Sequence, residues 1–255
     1  MWLRGVCLQR AGTPIVQGVD LQLAVGQRVG ILGPNGAGKS SLLELISGSV
    51  APTAGQIWLH GQRIDTWSMA RRARAGLGRS HQVSQLFDTL TVYENLATSL
   101  YRTCLRRSQF LSSQRAQAGL HSQVQTWLDR LGLTPWATQP ASQLGYAQRR
   151  LLELGLALAA NARVLLLDEP TAGLSLPEAQ QLAALLGQWL QGRTLLVVEH
   201  DLAVLRQLCD TLVLLQDGRI QMQGPVDAVL ASPAWQAVCA GVLPAATPVD
   251  GCAPC

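Results

Sequence analysis

The chain has 255 residues, 48% apolar and 14% charged, with a formal net charge of +4. Such a length and apolar content support one large domain or two modest ones around a substantial core, and exclude a polar disordered chain. The arginines are spread with no dense cluster, so a nucleic-acid partner has little electrostatic footing and none is expected. No apolar run reaches the length of a membrane span, and Arg4 and Arg10 fall where a signal peptide needs its apolar core, so a cytosolic setting is expected. Isolated cysteines at Cys7, Cys104, Cys209 and Cys239 suit reduced thiols. Cys252 and Cys255 form a terminal C-x-x-C with no second pair and no nearby histidine, and the tail around them, rich in Pro, Ala and Gly, reads as frayed.

In chain order, residues 1 to about 60 read as strands. Val19, Leu21, Leu23 and Val25 alternate, RVGIL is a short apolar run and IWL follows a turn at Gly55. One helix interrupts them, opening inside a glycine loop and running through Leu42, Leu43, Leu45 and Ile46 to Gly48. From about Thr91 to Asn161 the pattern is helical, with Val124, Leu128 and Leu131 on one face and Pro135 and Pro140 as breaks, which makes this stretch a candidate helical subdomain. Strand and helix then alternate. VLLL is a strand, and Leu182, Leu185, Leu186 and Trp189 stripe a helix with Pro177 in its first turn and Gly192 past its end. TLLVV is a strand, a short helix spans Leu202 to Leu208, and a hairpin turns at Asp217-Gly218. The implied fold class is α/β, a largely parallel sheet covered on both faces, with ligands at the carboxyl ends of its strands.

Gly33, Pro34, Asn35, Gly36, Ala37, Gly38, Lys39 and Ser40 fit G-x-x-x-x-G-K-[ST] between a strand and a helix. Glycines let the backbone wrap an anion so that N–H groups and the helix N-terminus point at phosphates. Lys39 would add charge at the β- and γ-phosphates, and the Ser40 hydroxyl would ligate Mg²⁺. The cradle alone does not separate a switch GTPase, a small-molecule kinase and an ATP-driven motor; RVLLLDEP narrows the choice. Asp168 and Glu169 should lie at the tip of a buried strand, Asp168 to hold the metal's shell and Glu169 to polarise the attacking water. TLLVVEHD brings His200 to the same edge as a donor to the γ-phosphate.

With these motifs in view, residues 1 to 241 resemble the ATP-binding subunit of ATP-binding cassette (ABC) transporters. The resemblance makes Gly33 to Ser41 the Walker A region, VLLLDEP the Walker B strand and His200 the switch histidine. It places Gln82, within HQVSQLFDTLTVYENL, as a sensor of Mg²⁺ and of the transmembrane partner. AGLS resembles the D-loop with Ser175 in place of its usual Asp, and LGYAQ stands for the signature Leu-Ser-Gly-Gly-Gln. The implied fold is a P-loop NTPase with a mostly parallel core sheet, an N-terminal antiparallel β-subdomain and a helical subdomain inserted at about 91–161, followed by a tail over 242–255.

AQRRLLELGLALA, TAGLSLPEA and VVEHDLAVLRQLCD are most similar to importer ATPases for branched-chain amino acids or urea. That resemblance implies ATP and Mg²⁺ as cofactors, a second cassette, integral-membrane permease subunits, indirectly a periplasmic solute-binding protein, and a peripheral position on the cytoplasmic face of the inner membrane. An export cassette, such as one serving lipopolysaccharide, and a soluble non-transport cassette share most of these motifs. In the family each signature serves the partner's nucleotide. Here Gly145 lacks the serine hydroxyl, Tyr146 and Ala147 take the glycine positions, and Gln148 keeps its place. The Ala147 Cβ limits close approach to phosphate and disfavours positive φ. A heterodimer with unequal sites is the expectation. Arg10 falls where the family stacks an aromatic on adenine, a role a guanidinium can also fill.

Overall fold

The computed structural model describes residues 1–80, 86–104, 114–159 and 162–240. Gln82, the tail over 242–255 and its Cys252 and Cys255 lie outside the described residues.

The N-terminal strands β1 (Trp2–Arg10) and β2 (Thr13–Gln22) form an antiparallel pair, and β3 (Arg28–Leu32) leaves them for a second sheet. The glycine loop follows, then α1 (Lys39–Ser47), β4 (Ala54–Leu59) and the short β5 (Gln62–Arg63). The antiparallel sheet has the order β2-β1-β4-β5. Next come α2 (Met69–Arg74), β6 (Leu77–Arg79), α3 (Val92–Cys104), α4 (Gln114–Leu131) and α5 (Tyr146–Ala159). The chain continues through β7 (Val164–Asp168), α6 (Leu176–Trp189), β8 (Thr194–Val198) and α7 (Leu202–Leu208). It closes with β9 (Thr211–Gln216), β10 (Arg219–Pro225), α8 (Val226–Leu230) and α9 (Pro233–Cys239).

The second sheet has the order β10-β9-β3-β8-β7-β6, with every pair parallel except β10 with β9. Its central strands are apolar between their ends because both faces are covered. Val29, Ile31, Leu196, Val198, Val213 and Leu215 face α1 and the antiparallel sheet. Their neighbours Leu195, Val197, Leu212 and Leu214 face α6 and α7. The period of two assigns alternate residues of one strand to two separate cores. A third apolar cluster joins Val92, Leu96 and Leu100 of α3 to Val124, Leu128 and Leu131 of α4 and Leu152 of α5.

One strand expectation is corrected. Val19, Leu21 and Leu23 are buried as their alternation predicts, but Val25 is 88% exposed. The ladder ends where Leu23 donates to the Met1 carbonyl, and Gly26, at a φ of +80°, turns the chain towards β3, so the alternation has no sheet to continue on.

Among the described residues, no helix is long and apolar enough to cross a membrane. Cys7, Cys209 and Cys239 form no disulfide among the described residues, and burial pushes the Cys209 thiol up to about 12.

Candidate functional site

Parallel strands β3, β7 and β8 end at one edge of the sheet, and that register brings the loop after each of them together. The glycine loop after β3 is shaped by close approach. A Cβ at Gly33 would lie 2.0 Å from the Leu215 carbonyl oxygen, and one at Gly38, where φ is +96°, 2.6 Å from that of Ile15. The hairpin turn at Asp217-Gly218 braces the loop from below, because the Gly218 amide donates to the Ala37 carbonyl at 3.0 Å. Within the loop Pro34 is half-buried and Asn35 and Gly36 are exposed, while Ala37, Gly38 and Lys39 are buried.

The Lys39 ammonium donates to the carbonyls of Gly33 at 2.8 Å and Pro34 at 2.9 Å. Burial lowers its pKa, and the nearby carboxylates of Glu169 and Asp168 work in the opposite direction. Ser40, in the first turn of α1, has its hydroxyl 3.4 Å from Asp168 Oδ1, and Ser41 is half-buried.

Asp168 ends β7 and is 1% exposed. Burial raises its pKa, and the Arg79 guanidinium, 3.5 Å from Oδ2, lowers it. A buried carboxylate and a hydroxyl held by long contacts form a hard oxygen donor set that suits Mg²⁺, which takes one or two protein ligands and completes its shell with water and phosphate. Glu169 follows in the left-handed region, with φ at +46° and its amide bonded to the Val198 carbonyl at 2.9 Å. Its carboxylate Oε1 lies 3.0 Å from Nε2 of His200, at the end of β8. Asp201 caps α7 by accepting from the Ala203 and Val204 amides, which spares His200 that task. The structure thus brings together Lys39, Ser40, Asp168, Glu169 and His200, which lie at or just past the ends of three separate strands.

Three charged groups that sequence reasoning passed over, two buried and Arg79 largely so, hold this constellation. Arg150 of α5 donates to the carbonyls of Pro170 at 2.9 Å and Glu169 at 2.8 Å, and pairs with Glu153 at 3.1 Å. Glu199, 3% exposed, accepts from the Thr171 amide at 2.9 Å, its hydroxyl at 2.5 Å and the His200 amide at 3.0 Å. Arg79 of β6 pairs with Asp168 and donates to the Ser47 hydroxyl at 2.9 Å. The signal available for Arg150 is a charge directly before the apolar run LLELGLALA, and for Glu199 an acid directly after a fully buried strand.

The signature positions lie at the start of α5. The expectation for Ala147 is corrected on one point: it is the second residue of that helix and has no positive φ, so only the bulk of its Cβ departs from glycine. The Tyr146 hydroxyl donates to the Ala172 carbonyl at 2.8 Å, binding the signature to this chain's own D-loop segment. A Cβ at Gly145 would meet Gln148 Oε1 at 2.6 Å, a contact that a turn of the flexible Gln148 side chain relieves. Ser175 opens α6 instead, with its amide and hydroxyl both donating to Glu178 Oε2, at 2.8 and 2.6 Å. Arg10 ends β1 in an ion pair with Glu44 at 2.6 Å, so a stacked base would have to share its guanidinium with that carboxylate.

Residues 16–172 match the family model described as ABC transporter. The chain is 31% identical over 241 residues to the high-affinity branched-chain amino acid transport ATP-binding protein LivG of Escherichia coli (strain K12), covering 91% of this chain and 93% of LivG. It is 31% identical over 238 residues to the BraF protein of the same description from Pseudomonas aeruginosa, covering 90% of this chain and 92% of BraF. It is also 32% identical over 227 residues to the methionine import ATP-binding protein MetN of Carboxydothermus hydrogenoformans, covering 88% of this chain and 64% of MetN. Among solved structures, the ADP conformation of MJ1267, an ATP-binding cassette of an ABC transporter, superposes with a TM-score of 0.79 at 25% identity, covering 94% of this chain and 98% of that one.

Proposed function

We propose, from the premise that the chain belongs to the ABC transporter family of ATPases, that it energises an importer for branched-chain amino acids or for urea and related amides. The solute class is supported by the relatives named for branched-chain amino acid transport. On this reading residues 1–241 form one cassette with the helical segment at about 91–161 inserted, and 242–255 form a tail. It sits peripherally on the cytoplasmic face of the inner membrane against integral-membrane permease subunits, beside a second cassette, and serves a periplasmic solute-binding protein indirectly.

The observation that carries the catalytic reading is the 3.0 Å contact between Glu169 and His200, at the mouth of the loop that holds Lys39. Residues 33–41 cradle the triphosphate, and Lys39 turns from its own loop carbonyls to the β- and γ-phosphates. Mg²⁺, when bound through Ser40 and Asp168, supplies charge stabilisation at the phosphoryl oxygens. Glu169 orients and polarises the attacking water, while His200 fixes the Glu169 carboxylate and donates to the γ-phosphate. Gln82 adds to the metal's surroundings and relays its state to the permease. Gly145, Tyr146, Ala147 and Gln148 face the partner's nucleotide, and Arg10 faces the base.

Glu169→Gln keeps the shape and removes the base. In the assembled transporter it is expected to retain ATP while hydrolysis falls by about a hundredfold or more. Undiminished turnover would overturn the assignment, and failure to co-purify with a membrane permease would overturn the transport role.

A further inference from the structure

Asp168 is almost wholly buried, and an isolated buried carboxylate is costly to keep ionised. The cation in contact with it is Arg79, whose side chain is 10% exposed and whose NH2 group lies 3.5 Å from Asp168 Oδ2, while the Lys39 ammonium acts on it from further off. The Arg79 guanidinium is not saturated by the described residues. NH1 donates to Ser47, and Nε is buried with no hydrogen-bond partner among the described residues. The contact to Asp168 is long for a charge-assisted bond, so it can be surrendered.

We propose that Arg79 is a placeholder cation at Asp168: it compensates the carboxylate when no metal is present and competes with the metal for it. This rests on the reading that Asp168 and Ser40 hold Mg²⁺. Competition from a fixed positive charge a few ångströms away weakens binding of a free divalent ion. The negative charge of a bound triphosphate in the loop offsets that repulsion, so metal enters together with nucleotide and not ahead of it. Arg79 thereby acts as a positioning residue, setting the order and affinity of loading without touching the reacting atoms. Its bond to Ser47 ties the same guanidinium to the C-terminal turn of α1, the helix that carries Ser40 at its other end.

The test uses Mn²⁺ as the probe ion, titrated by calorimetry or electron paramagnetic resonance at pH 8 into full-length protein, without nucleotide and with ADP. Arg79→Gln removes the charge and keeps hydrogen-bond donors, Arg79→Lys keeps the charge, and Asp168→Asn is the control. The expected result is nucleotide-free Mn²⁺ affinity about tenfold tighter in Arg79→Gln and within about twofold of wild type in Arg79→Lys, with the difference shrinking in ADP. A role confined to packing would leave Arg79→Gln binding equal to wild type or weaker, and that result overturns the inference. Should Arg79→Gln fail to fold, Arg79→Lys carries the test in its place: its shorter side chain does not bring the charge closer to Asp168, so Mn²⁺ binding more than about twofold weaker than wild type overturns the inference. Wild type and Asp168→Asn binding Mn²⁺·ADP alike would instead overturn the metal reading itself.

Discussion

Glu169 occupies a backbone conformation that costs an ordinary side chain roughly 1 kcal/mol or more, with φ at +46°. Two contacts impose it. Its amide is drawn to Val198 of β8, and its carbonyl accepts from Arg150 at 2.8 Å. The twist aims the carboxylate at His200 rather than along the strand. Asparagine tolerates this region better, so Glu169→Asn is expected to hold or raise thermal stability by up to about 1 kcal/mol while abolishing hydrolysis. A thermal melt lower than wild type would show that the conformation is not strained. The strand and its DE tip are legible in the sequence, because an apolar run ending in acids has one sensible placement in a parallel sheet. The left-handed turn is not, since the two bonds that enforce it come from residues 29 positions downstream and 19 upstream.

At the scale of an element, α1 shows how the phosphate loop is anchored at its far end. Arg72, 1% exposed, donates to the last carbonyls of α1, Leu45 at 2.6 Å and Ile46 at 2.8 Å, and to those of Trp67 and Asp65. Helix ends leave such carbonyls without partners, and here an arginine from α2 satisfies them. Gly48 makes room, since a Cβ there would lie 2.7 Å from Arg72 Nε. Arg72→Met would remove the donor to four carbonyls, of which Leu45 keeps the Gly48 amide at 3.3 Å, an expected loss on the order of 3 kcal/mol, or about 10 °C in melting temperature. Amide exchange should rise in residues 44–48, and unchanged protection there would show that another group caps the helix. In the sequence Arg72 sits among Arg71 and Arg74 and looks like any exposed basic turn. Only the packing of α2 against α1 singles it out.

For the whole molecule, the Tyr146 hydroxyl at the head of α5 bonds the Ala172 carbonyl, so the segment that resembles the signature and the one that resembles the D-loop are joined within this chain. If a second cassette with an intact signature completes the assembly, the site using this chain's Lys39, Glu169 and His200 should turn over faster. The opposite site, facing Gly145 and Ala147, lacks a hydroxyl to the γ-phosphate and should be slower by about ten- to a hundredfold. Replacing each partner's catalytic glutamate in turn and measuring ATPase activity tests this, and equal losses would remove the asymmetry.

From the sequence by itself came the strand, loop and helix of residues 28–47, the buried strands of residues 164–168 and 194–198, the hairpin at Asp217-Gly218 and the family. Each is a local pattern of turn chemistry, period or apolar run, readable because neighbours in the chain decide it. Tertiary structure alone decided the strand order, the outward turn at Val25, the helical setting of Ala147 and the buried partnerships of Arg72, Arg79, Arg150 and Glu199. A charge is affordable in an interior only where a partner far away in the chain meets it, and distance in sequence carries no record of that meeting.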